Sequence, residues 1–113
     1  MNQKVFTALQ DLLHHTEVVS RLVASGKDSY DHDEWLRYAA ESLIIRMGES
    51  VERIAKADPD FIADNPELEL RKLKDSRNVL AHGYDIVDSE IVWTILANHI
   101  PRVANQIQAK LMA

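Results

Sequence analysis

Cysteine is absent from this 113-residue chain, which removes disulfides and thiolate metal sites at once. The absence suits a reducing compartment. Proline and glycine are scarce, three of each, and aromatic residues make up only 6% of the chain. So few turn residues exclude a β protein built from many short strands and favour long helices. Long apolar runs are missing as well: even Ile91-Val92-Trp93 is broken by Thr94, so no membrane span is expected. Near the N-terminus, Gln10 and Asp11 interrupt the apolar residues too early for a signal peptide. The expectation is a soluble cytoplasmic protein without membrane association. Glycine-rich phosphate loops, Gly-x-Ser-x-Gly elbows, His-x-x-x-His and Glu-x-x-His are all absent. His14 and His15 would point about 100° apart on a helix and form no two-ligand face. No metal and no cofactor are therefore expected.

What is present begins with charge. The net charge of −5 repels RNA in bulk, so broad coating of nucleic acid is excluded. The distribution is uneven. Residues 58–70 carry Asp58, Asp60, Asp64, Glu67 and Glu69 with no base. Residues 71–82 carry Arg71, Lys72, Lys74 and Arg77 against Asp75 alone. A positive island on an acidic body is suited to holding one phosphate group.

Hydrophobic residues, 46% of the chain, fall at helical spacing. Val5, Leu9, Leu12, Thr16, Val19 and Val23 share one face, and Ser25-Gly26 closes that helix. Asp31 or Asp33 caps a second helix with Trp35, Tyr38, Ala39, Leu43, Ile44, Met47, Val51 and Ile54 as its apolar positions, ended by Pro59. Gly48 in its middle costs ~1 kcal/mol relative to Ala unless close packing uses the missing side chain. A short acidic connector with Phe61 leads into a third helix from Pro66 to His82, with Gly83 as its stop. A fourth opens after Asp88 and buries Val92, Leu96, Ile100, Val103, Ile107 and Leu111, with a kink near Ala97 imposed by Pro101. No repeat or linker interrupts the pattern. The expectation is one all-α domain over residues 1–113, an antiparallel four-helix bundle with a short extra helical turn and a kinked last helix.

The third helix holds an anomaly. Leu70, Leu73, Leu80 and Ala81 form its buried stripe, and Arg77 falls inside that stripe. Arg71 has Glu67 and Asp75 at four-residue spacing, a surface charge ladder. Arg77 has no acid within reach on its own helix, so it needs a partner on another element or a water-filled cleft. One role is a structural ion pair, with Glu49 as the candidate partner; Glu49 in turn has Arg53 four residues on. His82 sits at the helix end, where it caps the dipole or titrates near neutral pH for acid–base work. Tyr84 lies past Gly83, as an exposed hydroxyl or a packed aromatic.

The run Arg77-Asn78-Val79-Leu80-Ala81-His82-Gly83-Tyr84 resembles the Arg-x4-His-x-Tyr motif of HEPN toxins, in their HepT-like branch. Met47-Gly48-Glu49-Ser50 is similar to the Ile-Gly-Glu-Ala segment of that family's second helix. Val87-Asp88 followed by Val92-Trp93 resembles its Tyr-x-x-Val-Asp…Val-Trp continuation, and Pro101 stands where its last helix often has proline. The likeness runs from about Trp35 to Leu111. It departs at Leu70, where members often carry Trp, and at Asp75-Ser76, where they carry Gly-Met. The resemblance implies a homodimeric, metal-independent endoribonuclease toxin of a type II/VII-like toxin–antitoxin module, with RNA as substrate. It implies Arg77 and His82 as the catalytic pair, Asn78 in support, and a small nucleotidyltransferase antitoxin as partner. That partner can adenylylate the motif tyrosine, here Tyr84. Arg77 and His82 lie roughly 140° apart on an ideal helix, so unwinding near Gly83, a phosphate at the helix edge, or a second chain is needed to complete a site. The alternatives are a non-catalytic HEPN companion that binds substrate for a nucleotidyltransferase, and a purely structural helical dimer.

Overall fold

Short polar side chains start the helices. Asn2 opens α1 (Gln3–Ala24): its Oδ1 accepts the N–H of Val5 at 2.8 Å, satisfying a first-turn amide. Its Nδ2 donates to Ala57 O at 3.0 Å, the last residue of α3 (Glu34–Ala57), so α1 and α3 pack antiparallel. Asp33 caps α3 by accepting the N–H of Trp35 at 2.9 Å, whereas Asp31 takes the Lys27 ammonium at 2.8 Å instead. The computed structural model describes residues 1–80 and 87–113.

The first helix follows expectation, with Val5, Leu9, Leu12, Thr16 and Val19 buried. At its end Leu22 takes the inner place and Val23 is half-buried. Gly26 then turns the chain at φ +96°, a conformation glycine reaches without steric cost. A short helix that the periodicity passes over follows, α2 (Lys27–His32). Its Tyr30 is buried, stacks 5.0 Å from the Trp93 ring and donates its hydroxyl to Ser89 O at 2.9 Å.

On α3 the inner stripe is Ala40, Leu43, Ile44, Met47, Val51 and Ile54, with Leu36 partly covered at its start. Trp35, Tyr38 and Ala39, expected inside, are exposed. The inward phase passes through Leu36 and Ala40, which turns Trp35 and Tyr38 outward by geometry alone.

The acidic connector holds α4 (Phe61–Asp64), whose Phe61 is buried, and a 3-10 turn over Pro66–Leu68 with the proline in its first turn. The expected third helix does not run unbroken from Pro66. Glu69 is left-handed at φ 52°, which costs roughly 1–2 kcal/mol for a residue with a Cβ. The carboxylate gains partners there: His99 Nε2 at 2.7 Å and the Arg102 guanidinium at 3.6 Å. The break takes Glu67 off the helix of Arg71, so of the expected charge ladder only Arg71 and Asp75 share a helix. Beyond it lie α5 (Leu70–Asp75) and a 3-10 segment, Ser76–Val79.

Asp88 caps α6 (Ser89–Thr94) through bonds from Glu90 and Ile91 N–H groups at 3.0 and 3.2 Å. Pro101 cannot donate back to Ala97, and the expected kink appears as a π turn, Ile95–His99, before α7 (Ile100–Met112). Val92, Leu96, Ile100, Val103 and Ile107 are buried as expected, and Leu111 is partly so. α1 packs on α3 and α7, and α3 packs on α5, around one contiguous apolar core. The result is the expected all-α bundle. Among the described residues, no helix is long and apolar enough to cross a membrane.

Candidate active site

The segment carrying Arg77 changes its winding just before that residue. Buried Ser76 turns its hydroxyl back onto Leu73 O at 2.5 Å, where the chain passes from α to 3-10 geometry. Arg77 follows one turn after Leu73 and extends over α3. Its stem lies on Gly48: a Cβ there would sit 2.3 Å from Arg77 Cδ and 2.8 Å from both Cγ and Nε. The missing side chain is used by close packing. Half-buried, the guanidinium ends on the Glu52 carboxylate through Nη2.

Arg77 thus has the cross-element partner that its position demands, but that partner is Glu52 and not Glu49. Glu49 points outward into a groove of about 450 Å³ with Asp11, His14, His15, Arg46 and Arg53. Arg53, expected to pair with Glu49, instead meets Asp11 at 3.2 Å and donates to Ser50 Oγ at 3.0 Å. In that groove burial, then the charges of His14 and Arg46, hold His15 below the ordinary imidazole pKa. Glu52 was not singled out from sequence. Its signal was its place four residues after Gly48, on the same helical face.

The surroundings of Glu52 are basic. The Arg77 hydrogen bond first, and then the charges of Arg77, Lys74 and Lys56, hold its carboxyl below the usual glutamate range. Arg77 meets Glu52 directly, and the charges of Lys74 and Lys56 reach it from beyond ion-pair distance. This is a place where a phosphate oxygen is electrostatically welcome. Asn78, next in the chain, is exposed. His82 and Tyr84, and the expected helix stop at Gly83, lie outside the described residues.

A second polar cluster sits where the connector meets the last helix. His99 is buried in the π turn, and its Nε2–H donates to Glu69 Oε2. Burial holds His99 below its ordinary pKa in spite of that carboxylate, so at neutral pH the ring is uncharged. The bond holds the left-handed turn in place and leaves Nε2 occupied, which makes a structural lock rather than a reactive centre. No group of three or more His, Cys, Asp or Glu side chains suited to a metal ion occurs among the described residues.

A family model described as "Ribonuclease HepT-like" matches residues 12–109. No curated protein and no solved structure matches the chain.

Proposed function

Because the chain belongs to the HepT-like ribonuclease family, we propose that it is a metal-independent endoribonuclease with Arg77 and His82 as its catalytic pair. The observation that carries this reading is the placement of Arg77. A half-buried guanidinium is laid across Gly48 onto the Glu52 carboxylate, five residues before the motif histidine.

In the proposed reaction the 2′-hydroxyl of RNA attacks the adjacent phosphorus while His82, as general base, takes its proton. Arg77 stabilises the charge growing on the non-bridging oxygens. The bond from phosphorus to the 5′-oxygen breaks, and that oxygen takes up a proton. The products are a cyclic phosphate and a 5′-hydroxyl. Asn78 helps to orient the phosphate or His82. We read residues 1–113 as one catalytic domain acting in the cytoplasm.

Partners follow from the same reading. Trp35 is 85% exposed, Tyr38 62% and Ile45 44%, all on the outward face of α3. That exposure supports a homodimer paired through α3, which would bring a second chain alongside Glu52 and Arg77. The neutralising partner is a small nucleotidyltransferase antitoxin. With ATP it transfers AMP to the Tyr84 oxygen, releasing pyrophosphate and the phenolic proton. The added phosphate then competes with RNA for Arg77.

The deciding experiment is cleavage of RNA by the pure protein with and without a chelator. Arg77→Ala and His82→Ala should each lower the rate on the order of 10²–10⁴-fold with the fold intact. Full activity of either variant, or loss of activity on chelation, refutes the mechanism. Intact mass after incubation with the partner and ATP tests Tyr84; equal silencing of Tyr84→Phe would refute control by adenylylation. The Arg77–Glu52 pair also fits a non-catalytic companion or a structural dimer, and absence of cleavage by the wild type would favour those readings.

A further inference from the structure

Glu52 raises a question of its own. A carboxylate beside a phosphate-binding arginine repels the substrate, yet the fold places one there. We infer that Glu52 is the positioning residue of Arg77, holding one edge of the guanidinium so that the other edge is presented to the scissile phosphate. The inference rests on the ribonuclease reading and adds to it a residue outside the Arg-x4-His-x-Tyr motif.

Three observations meet here. The contact is made by a single terminal nitrogen, Nη2. A guanidinium carries five N–H groups in a rigid planar fork, so fixing one nitrogen orients the rest. The stem is fixed independently, because Cγ, Cδ and Nε lie flat over Gly48. Gly48 and Glu52 stand one helical turn apart on α3, and a side chain held at both points has little rotamer freedom left to lose when substrate arrives. Finally, the charges of Lys74 and Lys56 also act on the carboxylate, from beyond ion-pair distance, and offset part of its repulsion of a phosphate.

The chemistry predicts opposite effects on binding and turnover. Removing the Glu52 charge takes an anion away from the phosphate site, so RNA should bind as well or a few-fold better. Releasing the guanidinium should slow the chemical step, on the order of 10–10²-fold. A residue that merely stabilised the fold would not separate the two.

The test is cleavage kinetics of the full chain on a short RNA oligonucleotide. Glu52→Gln should lower kcat on that scale while KM stays level or falls, and Glu52→Asp should keep part of the lost rate. In the Arg77→Ala background, Glu52→Gln should change nothing further, because the carboxylate acts only through Arg77. Wild-type kcat in Glu52→Gln, or an additional loss in the double variant, overturns the inference. The NMR signals of the Arg77 guanidinium give a reading that needs no activity. Slow rotation in the wild type and free rotation in Glu52→Gln support it, and free rotation in the wild type overturns it. Slow rotation in a protein that cleaves no RNA would refute the ribonuclease reading and leave the clamp standing.

Discussion

Replacing Gly48 by alanine separates stability from activity. The new Cβ would stand 2.3 Å from Arg77 Cδ, against ordinary contact of 3.4 Å and beyond. The three nearest atoms all belong to the Arg77 side chain, so the arginine yields and the helix backbone does not. Mid-helix, Gly→Ala stabilises by ~1 kcal/mol. The ion pair with Glu52 is weakened as Arg77 lifts, but a pair this open to solvent offsets only part of that gain. The melting temperature should therefore hold level or rise by up to about 4 °C. Activity should move the other way. The guanidinium must shift by about 1 Å or more, and a misplacement of that size costs roughly 10²-fold in rate. Thermal unfolding by circular dichroism and RNA cleavage on one preparation give both numbers. Undiminished cleavage would show that the place of Arg77 over Gly48 is irrelevant to the reaction. A melting temperature lower by more than about 8 °C would show that the core, and not Arg77, absorbs the clash.

Other expectations are open to direct measurement. Trp35→Glu combined with Tyr38→Glu should shift the sedimentation coefficient from dimer to monomer without changing helicity; an unaltered dimer would exclude the α3 face as its interface. Tyr30→Phe removes the hydroxyl that donates to Ser89 O at 2.9 Å, and denaturant unfolding should show a loss of about 1 kcal/mol. A value indistinguishable from zero would mean that water replaces the bond. His99 has its folded pKa below the ordinary 6.5, with burial as the main cause. The unfolded chain then takes up the proton first on acidification, so stability present at neutral pH falls as pH drops through about 6.5 toward the folded value. Glu69, whose folded pKa is lowered chiefly by its bond to His99, adds a further loss below the usual glutamate range. Unfolding free energies between pH 7.5 and 5 should decline in the wild type and flatten in His99→Gln; equal slopes would remove His99 as the source.

Sequence pattern reached furthest where one face of a long helix decides the outcome. The stripes of α1 and the last helix, the Asp88 cap and the Pro101 disturbance were all legible, because spacing and hydrogen-bonding chemistry act locally. Arg77 was legible as an anomaly for the same reason: a charge on an apolar stripe needs a partner. Which partner was not legible. Glu49 and Glu52 both lie within reach of Gly48 in sequence, and only the approach direction of the 3-10 segment selects Glu52. Trp35 and Tyr38 count as apolar positions of the second helix by residue type, whereas the helix phase set by Leu36 and Ala40 sends them outward. The break at Glu69 left no trace either. A left-handed glutamate is locally unfavourable and is held by His99 and Arg102, both about thirty residues further along the chain.

The π turn at Ile95–His99 divides the last helix into two parts. On the near side, α6 is docked by the Tyr30 bond to Ser89, the Tyr30–Trp93 stack and the Lys27–Glu90 pair at 2.7 Å. On the far side, α7 is seated by Ile100, Val103 and Ile107. An α-helix with one residue fewer between 95 and 98 would hold α6 in nearly the same rotational setting relative to α7, because the π turn spreads one extra residue over a single widened turn. Val92 and Trp93 would keep their partners, but the Pro101 ring would then press on an α-helical carbonyl four residues back. The extra residue therefore makes room for Pro101, and exposed Asn98 and partly exposed Ala97 should tolerate many substitutions.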